Sequence, residues 1–133
     1  MEFTITASIV AYKENEDTLR KAIESFLTTK LPVKLFLIDN SPTNTLNKLS
    51  AEYNIEYIFG HGNIGYGAAH NIVLKKSSML GRYHLVLNPD VYFNSDVLVS
   101  LVKYMEENND TGLITPKIYY PNGDLQFLCK LLP

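Results

Sequence analysis

Val33-Lys34-Leu35-Phe36-Leu37-Ile38-Asp39-Asn40-Ser41-Pro42 sets a short apolar run directly before a polar turn. An almost uninterrupted apolar run of this length is typical of a strand that is buried on both faces of a parallel sheet. The residues from Asp39 to Pro42 form a strong turn signal. We therefore predict a buried strand from Val33 to Ile38 that ends in a polar cluster.

A strand and a helix are predicted before this segment. Phe3 to Ala11 is rich in β-branched residues and is predicted to be the first buried strand. The apolar residues between the two strands follow the spacing of an amphipathic helix, capped by Asn15 or Asp17 and ended by Pro32. These apolar residues are Leu19, Ala22, Ile23, Phe26 and Leu27.

The strand and helix pattern continues after the opening segment. A short helix with Leu46, Leu49 and Tyr53 facing inward is predicted first, then a third strand from Ile55 to Phe59. A glycine-rich loop from Gly60 to Gly67 leads into a helix that Gly81 is expected to stop. The residues that indicate this helix are Ala68, Ala69, Ile72, Val73 and Lys76.

The last part of the chain adds a fourth strand, a helix and a hairpin. Tyr83 to Leu87 is the fourth strand, and Asn94 or Ser95 is expected to cap the following helix. Its apolar face is predicted to carry Leu98, Leu101, Val102 and Met105. Leu113 to Tyr119 is predicted to be another strand, followed by a tight hairpin turn at Pro121 to Asp124. The order predicts a three-layer α/β/α fold with a mostly parallel sheet, ending in a β-hairpin.

Composition limits the function classes. The 133 residues suit one domain, 46% are hydrophobic, and the net charge of −2 does not favour nucleic-acid binding. The single cysteine, Cys129, is expected to be a packing residue in a reducing compartment. The start of the chain lacks the features of a signal peptide, so we expect a cytoplasmic protein or one peripheral to a membrane.

The polar strand ends are the candidate functional residues, because ligands of open α/β sheets bind beyond the carboxyl ends of the strands. The first strand ends in Ala11, Tyr12, Lys13 and Glu14, and the second in Asp39. The Asp39 carboxylate suits hydrogen bonds from a ribose hydroxyl or a base N–H. Alternatively, Asp39 only closes an Asx-turn, a common role for aspartate in turns.

The third and fourth strands end in a glycine-rich loop and in Asn88-Pro89-Asp90. Glycines let the backbone approach an anionic ligand, and the helix that follows favours anions at its N-terminus. The alternative is an ordinary connection between a strand and a helix. Asp90 suits Mg²⁺ or Mn²⁺ held together with a diphosphate, or else it is a turn residue facing water. His61, His70 and His84 lack a zinc-like spacing. His70 either faces the site or takes part in the packing of its helix against the rest of the protein.

Taken together, these clusters resemble the N-terminal part of glycosyltransferase family 2, with its GT-A fold. Leu37-Ile38-Asp39-Asn40-Ser41 is similar to the motif whose aspartate contacts the base or ribose. Asn63 to Asn71 resembles the N-x-G-[FY]-x-x-x-x-N loop and helix start. Asn88-Pro89-Asp90-Val91 resembles the metal motif of the rhamnosyltransferase-like branch, and Thr115 to Gly123 that branch's later strand and hairpin.

The resemblance implies an inverting sugar transfer from a nucleotide-diphosphate sugar, UDP- or dTDP-linked, to a saccharide acceptor in polysaccharide biosynthesis. Rhamnose is the sugar implied by the branch, and Asp90 is the implied ligand of Mg²⁺ or Mn²⁺. The expected substrate-binding residues are Ala11, Tyr12, Glu14, Asp39, Asn63, Gly65, Asn88 and Asp90. Two residues depart from the family's pattern: Lys13 replaces a common asparagine, and Asn88 replaces the first aspartate of the metal motif.

The resemblance places the catalytic base and the acceptor site in a second half, so no catalytic residue is expected in residues 1–133. The apolar tail of Leu125, Phe127, Leu128, Leu131 and Leu132 also suggests that the chain stops inside a larger fold. The main alternative is a non-catalytic nucleotide-binding or interaction module, whose tail would form a homodimer or partner surface. Nucleotidyl transfer onto a sugar phosphate ranks last. Enzymes of that class usually have a basic glycine-rich loop near the first strand, whereas Tyr12-Lys13-Glu14-Asn15 contains no glycine.

Overall fold

A four-stranded parallel sheet organises the part of the chain that carries the candidate residues. The computed structural model describes residues 2–126, which form two compact units, one ending at Val99 and one beginning at Ser100. The sheet has the order β3-β2-β1-β4. Its strands are β1 (Ile5–Ala11), β2 (Val33–Asp39), β3 (Glu56–Ile58) and β4 (Tyr83–Leu87). The helices are α1 (Glu16–Leu27), α2 (Asn47–Glu52), α3 (Tyr66–Leu74) and α4 (Val97–Glu107).

The core lies on both faces of the two central strands, as the apolar runs predict. On one face, Val10, Phe36 and Ile38 pack with Ala69 and Val73 of α3. The residues that alternate with them in β1 and β2 are equally buried. Burying a side chain such as Phe36 stabilises the fold by about 1.5–3 kcal/mol. The predicted three-layer α/β fold is confirmed.

Helix α1 forms where the spacing of its apolar residues predicts it. The Oδ1 atom of Asn15 accepts a hydrogen bond from the Thr18 N–H at 3.0 Å, so Asn15 is the N-cap and Asp17 lies in the first turn. The fully buried face consists of Leu19, Ala22, Ile23 and Phe26. In α2, the expectation for Tyr53 is only partly met, because its ring is half-buried and its hydroxyl donates to Glu24 at 2.5 Å.

The predicted end of α3 is wrong. The helix ends at Leu74, a 3₁₀ turn follows at Ser77–Met79, and Lys76 lies outside the helix with its Nζ atom 3.8 Å from Glu56. Gly81 is therefore not the residue that stops the helix. A Cβ atom at Gly81 would lie 2.8 Å from the carbonyl oxygen of Phe3, so close backbone packing explains this glycine.

The second unit contains the predicted hairpin but not the predicted long strand. Only Ile118–Tyr119 (β5) is extended, and it pairs antiparallel with Leu125–Gln126 (β6) rather than joining the parallel sheet. Pro116 has no N–H to donate to a ladder, and Leu113 is 87% exposed. The turn forms as predicted, with Gly123 at φ 94°.

Within residues 2–126, the helices are too short or too polar to cross a membrane. The predictions for Cys129 and for residues 127–133 of the apolar tail lie outside the described residues.

Candidate functional site

An open cavity of about 370 Å³ lies at the carboxyl ends of β1 and β4. These neighbouring strands are the switch point of the sheet, because the chain runs outward from β1 to β2 and β3 on one side and returns as β4 on the other. Ligands of open α/β sheets bind at such a point. The lining residues are Val10, Tyr12, Glu14, Asn40, Asn63, Tyr66, Asn88, Pro89 and Asp90.

The cavity brings together most of the residues predicted from the sequence. Five of the eight expected substrate-binding residues line it: Tyr12, Glu14, Asn63, Asn88 and Asp90. Ala11, Asp39 and Gly65 do not line it. Ala11 is fully buried in β1, while Gly65 lies beside the cavity at the start of α3. The sequence reasoning missed Asn40 and Tyr66, although both stand inside the motifs that it singled out.

Asp39 lies inside the protein rather than on the cavity wall. Its side chain is 0% exposed, and Oδ1 accepts a hydrogen bond from the Ser41 N–H at 3.0 Å. Oδ2 accepts a hydrogen bond from the Tyr57 hydroxyl at 2.6 Å. Burial and this bond to Asp39 raise the pKa of Tyr57. The Asx-turn alternative for Asp39 is therefore present in the structure, and the carboxylate also holds β3 against the end of β2.

Asn40 ties the glycine-rich loop to the end of β2. The Asn40 side chain donates from Nδ2 to the Gly65 carbonyl at 3.1 Å and accepts at Oδ1 from the His61 Nε2–H at 2.7 Å. Within the loop, Asn63 Oδ1 accepts a hydrogen bond from the Gly65 N–H at 3.2 Å. Gly60, Gly62 and Gly65 all have positive φ, which residues with a Cβ rarely adopt. These contacts hold Asn63 and the start of α3 beside the cavity.

Two carboxylates give the cavity its negative charge. Asp90 is exposed, whereas Glu14 is half-buried. Burial raises the pKa of Glu14, and the negative charge of Asp90 raises it further. Burial and Asp90 also raise the pKa of the Tyr66 hydroxyl. A cation placed between the carboxylates would relieve their repulsion.

Lys13 occupies an unusual backbone conformation next to the cavity. Its φ is 51°, in the left-handed region, and its N–H donates to the Ser41 hydroxyl at 2.7 Å. Asparagine visits this region more readily than lysine does. Lys13 therefore stands at a position with a backbone requirement of its own, set by its positive φ.

Sequence comparisons relate the chain to sugar-transferring enzymes. The family described as Glycosyl transferase family 2 matches residues 6–128. Rhamnosyltransferase WbbL of Escherichia coli is 29% identical over 104 residues, which are 74% of this chain and 39% of that protein. Hexosyltransferase Agl10, of low-salt glycan biosynthesis in Haloferax volcanii, is 31% identical over 118 residues, 86% of this chain and 36% of that protein. The chain thus spans less than half the length of these curated relatives.

A solved structure shows the same fold. The crystal structure of residues 1–349 of TarS from S. aureus superposes with a TM-score of 0.65 and 18% identity. The match covers 92% of this chain and 43% of that one. At this identity the likeness concerns the fold, which agrees with the arrangement predicted from the order of strands and helices.

Proposed function

This chain belongs to glycosyltransferase family 2, and from that premise we propose that its cavity binds the donor of a sugar transfer, a nucleotide-diphosphate sugar. One observation carries the proposal: polar residues from the ends of β1 and β4 and from the glycine-rich loop converge on the cavity at the switch point. The family and the named relatives support sugar transfer as the reaction class. The cavity is the proposed binding site of the diphosphate.

The residues present fit a divalent cation. Within residues 2–126, no group of three or more His, Cys, Asp or Glu side chains is arranged around one point. Mg²⁺ commonly takes only one or two carboxylates and completes its shell with water and substrate phosphates. Asp90 is the proposed protein ligand of Mg²⁺ or Mn²⁺, with Glu14 as the second carboxylate on the same wall. A bound cation would supply Lewis-acid stabilisation of the charge that develops on the leaving diphosphate.

The protein groups around the cation site orient the donor. The Asn63 side-chain NH₂ group can donate to the ligand beside the N-terminus of α3, whose dipole favours the negative diphosphate. Tyr12 presents an exposed aromatic ring at the end of β1 for contact with the base. Asp39 is the predicted base or ribose contact, but reaching a ligand requires Tyr57 to release or share its carboxylate.

The reaction itself is proposed for the whole protein. We propose that it transfers a sugar with inversion to a saccharide acceptor, and that the catalytic base lies outside this chain. UDP and dTDP are the proposed nucleotide parts of the donor. Rhamnose is the first sugar to test, because one relative is named a rhamnosyltransferase, although another is named a hexosyltransferase.

Calorimetric titration tests the donor site. UDP and dTDP are titrated into the chain with and without Mn²⁺, and the same is done with Asp90→Asn and Glu14→Gln. We expect one nucleotide to bind only when Mn²⁺ is present, and Asp90→Asn to weaken that binding by about tenfold or more, equivalent to roughly 1.4 kcal/mol. Glu14→Gln should weaken it less.

Asp110→Asn is the matched control, since Asp110 is an exposed carboxylate in the second unit and should leave binding unchanged. Circular dichroism establishes that each variant is folded. Binding that is independent of Mn²⁺, or equal in wild type and Asp90→Asn, would contradict the proposed metal site. A folded chain that binds neither nucleotide would contradict the donor-site proposal.

A further inference from the structure

A chain of buried and half-buried polar side chains lies on the face of β1 that packs against α3. Ser8 on β1 contacts two histidines: its Oγ atom lies 2.7 Å from His70 Nδ1 and 2.8 Å from His84 Nε2. The other ring nitrogen of His84 lies 2.9 Å from the hydroxyl of Thr6, which also accepts a hydrogen bond from the Gly81 N–H at 3.1 Å. These contacts link β1, β4 and α3 through side chains that are 62 to 78 residues apart in sequence.

The single proton of the Ser8 hydroxyl makes the two histidines unequal. Ser8 can donate to only one of them, so the other must donate to Ser8. Burial lowers the pKa of both rings, that of His84 to about 4 with a further effect from His70, so each ring is neutral near pH 7 and carries one N–H. Two arrangements remain, which differ in whether the proton of His70 sits on Nδ1 or on Nε2.

The surroundings of His70 select one arrangement. Its Nε2 atom is buried and has no hydrogen-bond partner in the described part of the chain. The centroids of the His70 and Tyr66 rings lie 4.5 Å apart in a T-shaped contact. An aromatic face accepts an N–H weakly but offers nothing to a lone pair. An Nε2–H directed at the face of the Tyr66 ring would give this nitrogen a weak acceptor, and in that arrangement Ser8 donates to Nδ1 and His84 donates to Ser8.

Tyr66 connects His70 to the cavity, because its ring contacts the His70 ring and also lines the cavity. Its ring is 50% exposed, it lines the cavity, and its hydroxyl donates to Asn88 Oδ1 at 2.5 Å. Because this bond turns the carbonyl oxygen of the Asn88 amide toward Tyr66, it also fixes the direction of the NH₂ group, which is a donor. A donor at this position suits an anionic phosphate oxygen.

We propose that His70 is a positioning residue that holds Tyr66 in place and, through the Tyr66 hydroxyl, orients the Asn88 amide as a hydrogen-bond donor to the diphosphate. The proposal rests on the donor-binding function proposed above. It assigns a task to a histidine that never touches the ligand.

Nuclear magnetic resonance of the ligand-free, ¹⁵N-labelled chain tests the positioning directly. The ring nitrogens of His70 should show a neutral tautomer with the proton on Nε2. Ser8→Ala removes the donor to His70, and Tyr66→Phe removes only the hydroxyl that reaches Asn88. Both variants should shift the side-chain amide signals of Asn88 and should weaken Mn²⁺-dependent UDP or dTDP binding by roughly tenfold, the effect of one lost hydrogen bond of about 1.4 kcal/mol.

Two matched variants separate positioning from a general loss of stability. Ser50→Ala removes a buried hydroxyl that donates to the Leu46 carbonyl at 3.0 Å, and Tyr104→Phe removes an exposed hydroxyl on α4. Neither should shift the Asn88 signals or change nucleotide binding. Because Tyr66 is half exposed, Tyr66→Phe should fold even if Ser8→Ala does not.

The outcomes separate the two proposals. A His70 proton on Nδ1, or unchanged Asn88 signals in Tyr66→Phe, would overturn the positioning role. If the His70 tautomer and the Asn88 shifts are as expected but the wild-type chain binds neither nucleotide, the positioning of Asn88 is supported and the donor-binding function is overturned. Expected shifts with unchanged nucleotide affinity in both variants would overturn the contribution of Asn88 to diphosphate binding.

Discussion

Asp39 is the last residue of β2 and Asp90 follows β4 of the same parallel sheet, yet the two carboxylates occupy opposite environments. Asp39 is fully buried and accepts hydrogen bonds from Ser41 and Tyr57. Asp90 is exposed on the cavity wall, where its charge adds to burial in raising the pKa of Glu14 and of Tyr66. One carboxylate therefore organises the edge of the sheet, and the other is free to meet a ligand.

The same division separates whole groups of polar residues. The inner group, with Asp39, Ser8 and His70, is buried and bonded to other protein groups. The rim is exposed or half-buried and lines the cavity; it consists of Tyr12, Glu14, Asn63, Tyr66, Asn88 and Asp90. Replacing an inner residue should change stability first, and replacing a rim residue should change binding first.

The largest expected effect is on stability at the two aspartates. Asp39→Ala leaves the Ser41 N–H and the Tyr57 hydroxyl without their acceptor, which should lower the free energy of unfolding by roughly 2–5 kcal/mol. Asp90→Ala should change it by less than about 0.5 kcal/mol, because the side chain is exposed. Urea unfolding monitored by circular dichroism measures both.

Tyr57→Phe sharpens this comparison because it removes only one of the two bonds to Asp39. Its effect should fall between those of the two alanine variants, at about 1 kcal/mol. Equal losses of stability in Asp39→Ala and Asp90→Ala would show that the division between the inner group and the rim is wrong.

A further effect on stability is expected from acid, through His84 and His70, and it is smaller than the upper range expected for Asp39→Ala. His84 has a pKa of about 4 when folded against an ordinary value of 6.5, so the unfolded chain takes up its proton first. Its contribution to stability is complete above about pH 6.5 and is lost as the pH falls toward 4. From pH 7.5 to pH 5 this loss should amount to about 2 kcal/mol. His70 acts in the same direction, since its pKa is also lowered.

Urea midpoints measured at several pH values check this prediction. His84→Gln cannot titrate, so its stability should fall less steeply than that of wild type between pH 7.5 and pH 5. Asp90→Ala, a rim variant, should retain the wild-type difference between pH 7.5 and pH 5 that the histidines cause. An identical pH dependence in wild type and His84→Gln would contradict the assignment to His84.

The elements with strong local signals were predictable from the sequence. The buried strands β1 and β2, the Asn15 cap of α1 and the Asn122-Gly123 turn each depend on residues close together in the chain. The predictions that failed concern the end of α3 and the strand from Leu113 to Tyr119. Their outcome depends on contacts between residues that are far apart in the sequence, or on the lack of a neighbouring strand within the described residues. From the sequence, Gly81 resembles a helix stop. In the structure it packs closely against the Phe3 carbonyl, which belongs to a segment far away in the sequence.

The candidate site divides in the same way. Residues that directly follow a strand, such as Glu14 and Asp90, were predictable because parallel strands end at one edge. Whether a strand-end carboxylate faces in or out was not predictable, since the burial of Asp39 depends on Tyr57 in the next strand. The contacts of Ser8 with His70 and His84 join residues more than 60 positions apart, and no local pattern indicates them.

The most direct test of the central claim, that the cavity between the ends of β1 and β4 is a nucleotide and metal site, is paramagnetic broadening by Mn²⁺. Backbone amide signals are recorded with Mn²⁺ and UDP or dTDP, using Mg²⁺ as the diamagnetic reference. We predict that signals of Glu14, Asn63 and Asp90 broaden first, while Thr6 and Lys34 near the amino ends of their strands stay sharp, and that Asp90→Asn abolishes the effect. Broadening centred elsewhere, or unchanged in Asp90→Asn, would contradict the account.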